Sequence, residues 1–276
     1  MDVPTNKRAV KTDDLSFDYG FCTHTGRRRH NQDEVLVPSV TGTSNGFDKL
    51  FAIADGMGGH PGDGIASLMA CDRLSVFDKR YNQNKGRQKP ADIGHRLVET
   101  VIRTDRAIRL RGLSGYNLGD MGTTLSCLII TKTHSVISHV GDSRIYRLRN
   151  GHLSCLTVDH TFVQDMVFEG QVDPEIAHLH PLRHMLTRAV GTGEPLEWVD
   201  TRIDELKSID CFLLCTDGLY KAVAERDILD LLAERSDAAD TATELIAKAL
   251  KNGARDNITA VVVKIVINRH FLPRQS

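Results

Sequence analysis

Short runs rich in apolar residues, each of strand length, recur at 17–25, 34–40, 50–54, 124–131, 135–140, 144–149, 211–215 and 258–267. Asn150-Gly151 stands between 144–149 and a further run at 153–157, and that dipeptide predicts a two-residue hairpin turn. Elsewhere the apolar period is helical. Ile65, Leu68, Met69 and Val76 share one face, and so do Ile93, Leu97, Val101 and Ile108. A third helix is predicted through Ala242, Leu245, Ile246, Ala249 and Leu250, with Thr241 and Glu244 as a capping box and Gly253 as its stop. Residues 161–169 carry a shorter helical pattern inside an otherwise irregular, histidine-bearing excursion over 158–200. Strands, two helices, more strands, helices and a last strand do not make the alternation of a doubly wound sheet. The order predicts an α+β chain with two mainly antiparallel sheets packed together and helices outside.

Composition narrows the function more than the fold. The chain has 276 residues, 41% hydrophobic, with a formal net charge of −1, so no global field calls for nucleic acid or an anionic membrane as partner. Residues 1–8 lack an apolar segment of the secretory kind, and the apolar run 258–267 is interrupted by Lys264 and too short to span a bilayer. Six cysteines, at 22, 71, 127, 155, 211 and 215, form no C-x-x-C pair, and most sit inside apolar runs, as expected of small buried thiols in a reducing cytoplasm. No repeat or long linker divides the chain.

The candidate chemistry lies where apolar runs end in aspartate. FAIAD ends at Asp55, SVISHVGD at Asp142 and CFLLCTD at Asp217, while Asp33 and Asp256 stand just before strand patterns. A single such aspartate is ordinarily a turn or cap residue. Five at strand mouths would repel one another if the mouths converge, and hard divalent cations with oxygen preference answer that repulsion. HExxH and zinc-type His/Cys spacings are absent; Pro181 interrupts any helix that could align His178, His180 and His184. A pair of such ions can activate water and clamp a displacement at phosphorus. Gly56 could then turn its carbonyl to a metal, while Gly58 and Gly59 lead into a helix starting near Gly62. The run Arg27-Arg28-Arg29 ahead of Asp33 offers a guanidinium for phosphate oxygens.

Six stretches occur in one order: RRRHNQD, ADGMGGHPGDGIAS, MGTTLSCLII, VGDSRIYRLRNG, LLCTDGLYKAV and RDNITAVVV. Together they resemble the metal-dependent protein phosphatases, the protein phosphatase 2C group, in the bacterial single-domain form. The resemblance implies a four-layer αββα sandwich formed by one catalytic domain over 1–276, core about 15–268, with 158–200 as a flap-like segment. It implies hydrolysis of phosphoserine and phosphothreonine with two Mn²⁺ or Mg²⁺ ions. By position, Asp55 resembles the bridging ligand and the Gly56 carbonyl a ligand of the second metal. Asp217 and Asp256 resemble ligands of the first, and Asp33 the carboxylate holding a metal-bound water. Arg28 resembles the phosphate-binding arginine, and Asp142 a residue that shares a weaker third metal with Asp217. Thr123, Thr124, Ser143 and Arg144 are expected to support the site.

Three positions depart from that pattern: Gln32 where Glu is common, Met57 where animal members have a general-acid histidine, and His184 where some bacterial relatives have serine. His60, the nearest histidine in sequence to Met57, becomes the candidate proton donor. The expected partners are phosphorylated proteins, among them a bacterial Ser/Thr kinase and its substrates, met by a cytoplasmic monomer. A haloacid-dehalogenase-type site would need a second Asp at Met57, and a P-loop would need Lys where Ile65 stands. The rival from another class is a catalytically weak phosphatase-like domain that binds a phosphoprotein and signals; intact Asp33, Asp55, Asp217 and Asp256 argue against it.

Overall fold

Alternation along the strands sets the layers. In β4 (Lys49–Met57), Phe51 and Ile53 point to one face, and the small Ala52 and Ala54 to the other. The last strand, β12 (Ile258–Ile267), divides the same way, with Val261 and Val263 on one face and Ala260 and Val262 on the other. The faces bearing Phe51, Ile53, Val261 and Val263 meet, joined by Phe17, Leu128, Ile137, Ile145, Phe212 and Leu214, in a core between two sheets. Each such side chain taken fully from water contributes about 1.5–3 kcal/mol before entropy is charged against it.

The computed structural model describes residues 8–11, 15–38, 48–57, 63–83, 88–114, 121–207, 210–234 and 236–267. One sheet contains β1 (Arg8–Lys11), β2 (Leu15–His24), β12, β11 (Cys211–Cys215), β8 (Arg144–Arg149) and β9 (His152–Cys155), in that spatial order. The other runs β10 (Asp200–Glu205), β7 (His134–Val140), β6 (Leu125–Ile130), β4 and β3 (Asp33–Leu36), with the short β5 (Gly122–Thr123) paired to β4. All of these pairings are antiparallel.

Helices α1 (Asp63–Gln83) and α2 (Pro90–Ser114) cover the outer face of the β4 sheet, where Ala52, Ala54, Ala66 and Ala70 let α1 approach closely. On the far side α6 (Ala238–Lys251) packs on β2 and β12, and α5 (Glu225–Ala233) lies against α6, β8 and β9, in a core that includes Leu213, Val262, Ile228, Leu245 and Ile246. The result is the expected α+β sandwich of four layers, αββα. Among the described residues no helix is long and apolar enough to cross a membrane.

Several local expectations shift. The Asn150-Gly151 turn forms as predicted, with both residues at positive φ (53° and 75°), the geometry that suits the twist of a two-residue hairpin. The third helix starts earlier than its predicted capping box. Asp237 caps α6 by accepting from the Asp240 N–H at 2.8 Å, and Thr241 sits inside the first turn with its hydroxyl on the Asp237 carbonyl. Strand β3 stops at Leu36 instead of reaching residue 40, and 39–40 lie outside the described residues. The excursion over 158–200 holds helix α3 (Phe162–Phe168), capped by Thr161, and a 3₁₀ turn at Ala177–Leu179. Backbone bonds tie it to the sheet: His160 N–H to the Gly141 carbonyl at 2.8 Å, and Val190 N–H to the Thr123 carbonyl at 2.8 Å.

Candidate metal centre

The strand mouths do converge. In the β3–β4 register Asp33 lies directly opposite Asp55, and Gly56 opposite Thr123. The mouth of β4 is held by hydroxyls: Thr124 Oγ1 accepts from the Asp55 N–H at 3.0 Å, and Thr123 Oγ1 donates to the Asp55 carbonyl at 2.9 Å. Ser143 exchanges a 2.7 Å hydrogen bond with Thr124, so three of the expected supporting residues surround Asp55, while Arg144 pairs with Asp159. Asp217 opens the four-residue helix α4 (Asp217–Tyr220) directly after β11, Asp256 precedes β12, and Asp142 occupies the turn between β7 and β8. Two close approaches fix this end. At Gly218 a Cβ would lie 2.0 Å from the Asn257 carbonyl oxygen. At Gly26, whose φ is +61°, one would lie 1.9 Å from that of Asp256.

Electrostatics records the crowding. Burial, followed by repulsion from Asp33, Asp217, Asp142 and Asp256, drives the Asp55 carboxyl well above the usual carboxylate range. Burial pushes Asp33 up to about 7 although two hydroxyls pull the other way, Thr216 at 2.9 Å and Thr259 at 2.6 Å, both on Oδ2. The other oxygen, Asp33 Oδ1, is buried with no hydrogen-bond partner. Asp142 is raised to about 6 by burial and then by Asp217, against the pull of Lys221.

Mutually repelling carboxylates, Asp33 and Asp142 buried among them, with an orphaned oxygen on Asp33, suit hard cations with oxygen ligands. Asp33, Asp55, the Gly56 carbonyl, Asp217 and Asp256 could hold them. Among the described residues no three acidic, histidine or cysteine side chains close on a single point. Protein cations meet two of the carboxylates: Arg28 reaches Asp256 Oδ2 at 2.8 Å, and Lys221 Nζ reaches Asp217 Oδ2 at 2.5 Å.

Arg28 therefore lies at the rim of the cluster, as its place ahead of Asp33 suggested. Met57, at the end of β4, stands opposite Gly122. His60, with Gly58, Gly59 and Gly62, lies outside the described residues. His184 sits in the excursion with Nδ1 2.8 Å from Lys221 Nζ; burial and then the ammonium lower its pKa.

Sequence reasoning missed Thr216 and Thr259, whose hydroxyls hold Asp33, and two further residues. Asn257, only 4% exposed, accepts from the Gln32 N–H at 2.9 Å and donates to the Thr25 and His30 carbonyls at 2.9 and 3.0 Å, stitching the arginine loop to β12. The other is Lys221, for which the four-residue spacing from Asp217 was the readable signal.

Two antiparallel sheets between helix pairs, with buried carboxylates and an arginine at one end, form the frame of a metal-dependent phosphatase. Comparisons with known proteins agree. The family described as Protein phosphatase 2C matches residues 22–258. The serine/threonine protein phosphatase PstP of Mycobacterium tuberculosis is 36% identical over 87% of this chain, which spans 43% of that protein's own length. The serine/threonine phosphatase stp of Listeria welshimeri is 35% identical over 88% of this chain and 94% of its own. A solved structure of the PstP catalytic domain in complex with two manganese ions superposes with a TM-score of 0.77 at 32% identity, covering 91% of this chain and 99% of that one. The chain belongs to the protein phosphatase 2C family.

Proposed function

We propose that the chain is one catalytic domain that hydrolyses phosphoserine and phosphothreonine in proteins with two Mn²⁺ or Mg²⁺ ions. Its substrates on this reading are phosphorylated cytoplasmic proteins, a Ser/Thr kinase and that kinase's targets among them. The observation that carries the reading is the half-buried Asp55 carboxylate, opposite the buried Asp33 and repelled by three further aspartates, with Arg28 at the rim. A metal-dependent relative with two manganese ions supports the cofactor.

Asp55 and the Gly56 carbonyl would hold one ion, Asp217, Asp256 and Asp55 the other, and Asp33 would orient the attacking water. When bound, the ions supply Lewis-acid polarisation of the phosphoryl group and acidification of water. The chain's own residues do the rest. Arg28 presents a planar fork that can bind two phosphate oxygens and hold phosphorus in line. Thr123, Thr124 and Ser143 fix the backbone of Asp55, so little reorganisation is needed when charge develops at the phosphoryl oxygens. The leaving serine or threonine oxygen needs a proton, and His60 is the candidate donor.

Phosphate release from a phosphothreonine peptide by wild type and Asp55→Asn tests the chemistry; equal rates would refute it. Comparing phosphopeptide abundance in cells with and without the protein tests the substrate class. No kinase-derived phosphopeptide rising in its absence would refute the kinase-reversing role.

A further inference from the structure

Asp142 and Asp217 share a cation that belongs to the chain. Lys221 is the C-cap of α4, and its N–H donates to the Asp217 carbonyl at 3.0 Å. This backbone bond places the lysine side chain one turn beyond Asp217, with Nζ 2.5 Å from Asp217 Oδ2. The same Nζ lies 3.5 Å from Asp142 Oδ2, in the β7–β8 turn, and 2.8 Å from His184 Nδ1, in the segment after α3. An ammonium has three N–H donors and no acceptor, so each neighbour corresponds to one donor and His184 must present an unprotonated Nδ1. Three separate stretches of chain meet on one atom.

The neighbours are themselves fixed. Tyr220 turns its hydroxyl towards Asp142 Oδ2 at 3.5 Å, and its ring lies under the Arg144 guanidinium, 3.9 Å from the ring centroid. Arg144 in turn is held by both oxygens of Asp159, at 2.9 and 2.8 Å. The contrast with Arg28 is informative. Arg28 is 58% exposed on a single carboxylate, free to turn to a phosphate, whereas the Lys221 side chain is 30% exposed and shared among three partners.

We infer that Lys221 is the built-in counter-cation of the Asp142–Asp217 pair, taking the part a third divalent ion would play there, and that it docks the His184 segment onto that pair. A divalent ion bound by both carboxylates would need the space the ammonium spans and would meet its charge at close range. The inference rests on the phosphatase reading only for the two inner ions.

Calorimetric titration of EDTA-stripped protein with Mn²⁺ alone tests it, with the wild type beside Lys221→Gln and Lys221→Arg. Wild type and Lys221→Arg should each bind two ions, and Lys221→Gln should bind a third, weaker one. A third ion on the wild type, or a folded Lys221→Gln that stops at two, overturns the inference and leaves the phosphatase reading standing. Thermal unfolding in EDTA supplies the metal-free arm. Lys221→Gln leaves two carboxylates uncompensated and should melt at least ~3 °C below wild type, with Lys221→Arg recovering part of the loss. An unchanged melting temperature overturns the inference. Wild type that binds no Mn²⁺ refutes the phosphatase reading instead, and the EDTA melting comparison then decides for Lys221 by itself.

Discussion

Asn257→Ala should uncouple the arginine loop from the metal-binding end while leaving every proposed ligand in place. The amide makes three hydrogen bonds from a buried position, one accepted from the Gln32 N–H and two donated to the Thr25 and His30 carbonyls. Each is worth about 1 kcal/mol net, and the partners have little water to turn to, so the expected loss is about 3 kcal/mol. In a chain of this size that corresponds to a melting temperature about 6–12 °C lower. The functional consequence follows from what the loop carries. Residues 25–32 hold Arg28, and without Asn257 its guanidinium is no longer set against Asp256. KM for a phosphothreonine peptide should rise roughly tenfold, equivalent to about 1.4 kcal/mol, with a smaller change in kcat. Asn257→Asp keeps an acceptor for Gln32 but sets a carboxylate against two carbonyl oxygens, so it should melt at or below the alanine variant. Differential scanning calorimetry and steady-state kinetics at saturating Mn²⁺ measure both effects. A shift below about 2 °C with KM unchanged would show that something other than this amide holds the loop.

Arg28→Ala should raise KM strongly and kcat less, and Arg28→Lys should restore only part of the binding; an unchanged KM would assign the phosphate to another group. His60→Ala should slow a phosphoserine peptide far more than p-nitrophenyl phosphate, because only the poor leaving group needs the proton; equal slowing removes His60 as donor. Asp105, buried in α2, accepts from the Gly191 N–H at 2.8 Å and the Leu196 N–H at 3.2 Å, so Asp105→Ala should cost about 2–4 kcal/mol in chemical denaturation, and a loss below ~1 kcal/mol would contradict it. Burial, then the facing His160, lowers His139 to about 4 from 6.5, against the opposing pull of Asp159, the Val158 carbonyl and Asp200. A depressed folded-state pKa means the unfolded chain binds the extra proton, so this stability is complete above pH 6.5 and is lost as pH falls towards 4. His139→Gln should flatten that part of the melting profile, and an unaltered slope would refute the assignment.

What the sequence disclosed and what it concealed divide along physical lines. The buried strands were legible because their side chains are large and apolar on the face between the sheets, as Phe51, Ile53, Val261 and Val263 show. Edge strands were not: β1 reads RAVK and β10 reads DTRIDE, and polar residues at a sheet edge leave no apolar alternation to find. The displaced cap of α6 has a similar cause, since both Asp237 and Thr241 are able caps and only the packing of Ala238 and Ala239 decides between them. Four aspartates announced themselves by ending or preceding apolar runs, and Asp33 did so by standing just ahead of the apolar run that continues β3. The hydroxyls that grip Asp33 come from Thr216 and Thr259, separated from it by 183 and 226 positions. Asn257 and the Asp142–Lys221–His184 contacts were hidden for the same reason: pairing across distant loops follows from the fold and leaves no local period.

The central claim is that hydrolysis depends on divalent cations held by the Asp55 cluster. The direct measurement is phosphate release from a phosphothreonine peptide by EDTA-stripped protein as Mn²⁺ is added back, for wild type and Asp55→Asn. The stripped wild type should be inactive and should recover with Mn²⁺ but not with Ca²⁺. Asp55→Asn should stay at least ~10²-fold slower at every Mn²⁺ concentration, because it loses both positioning and electrostatic stabilisation. Full turnover in metal-free buffer, or an Asp55→Asn variant as fast as wild type, would contradict the account.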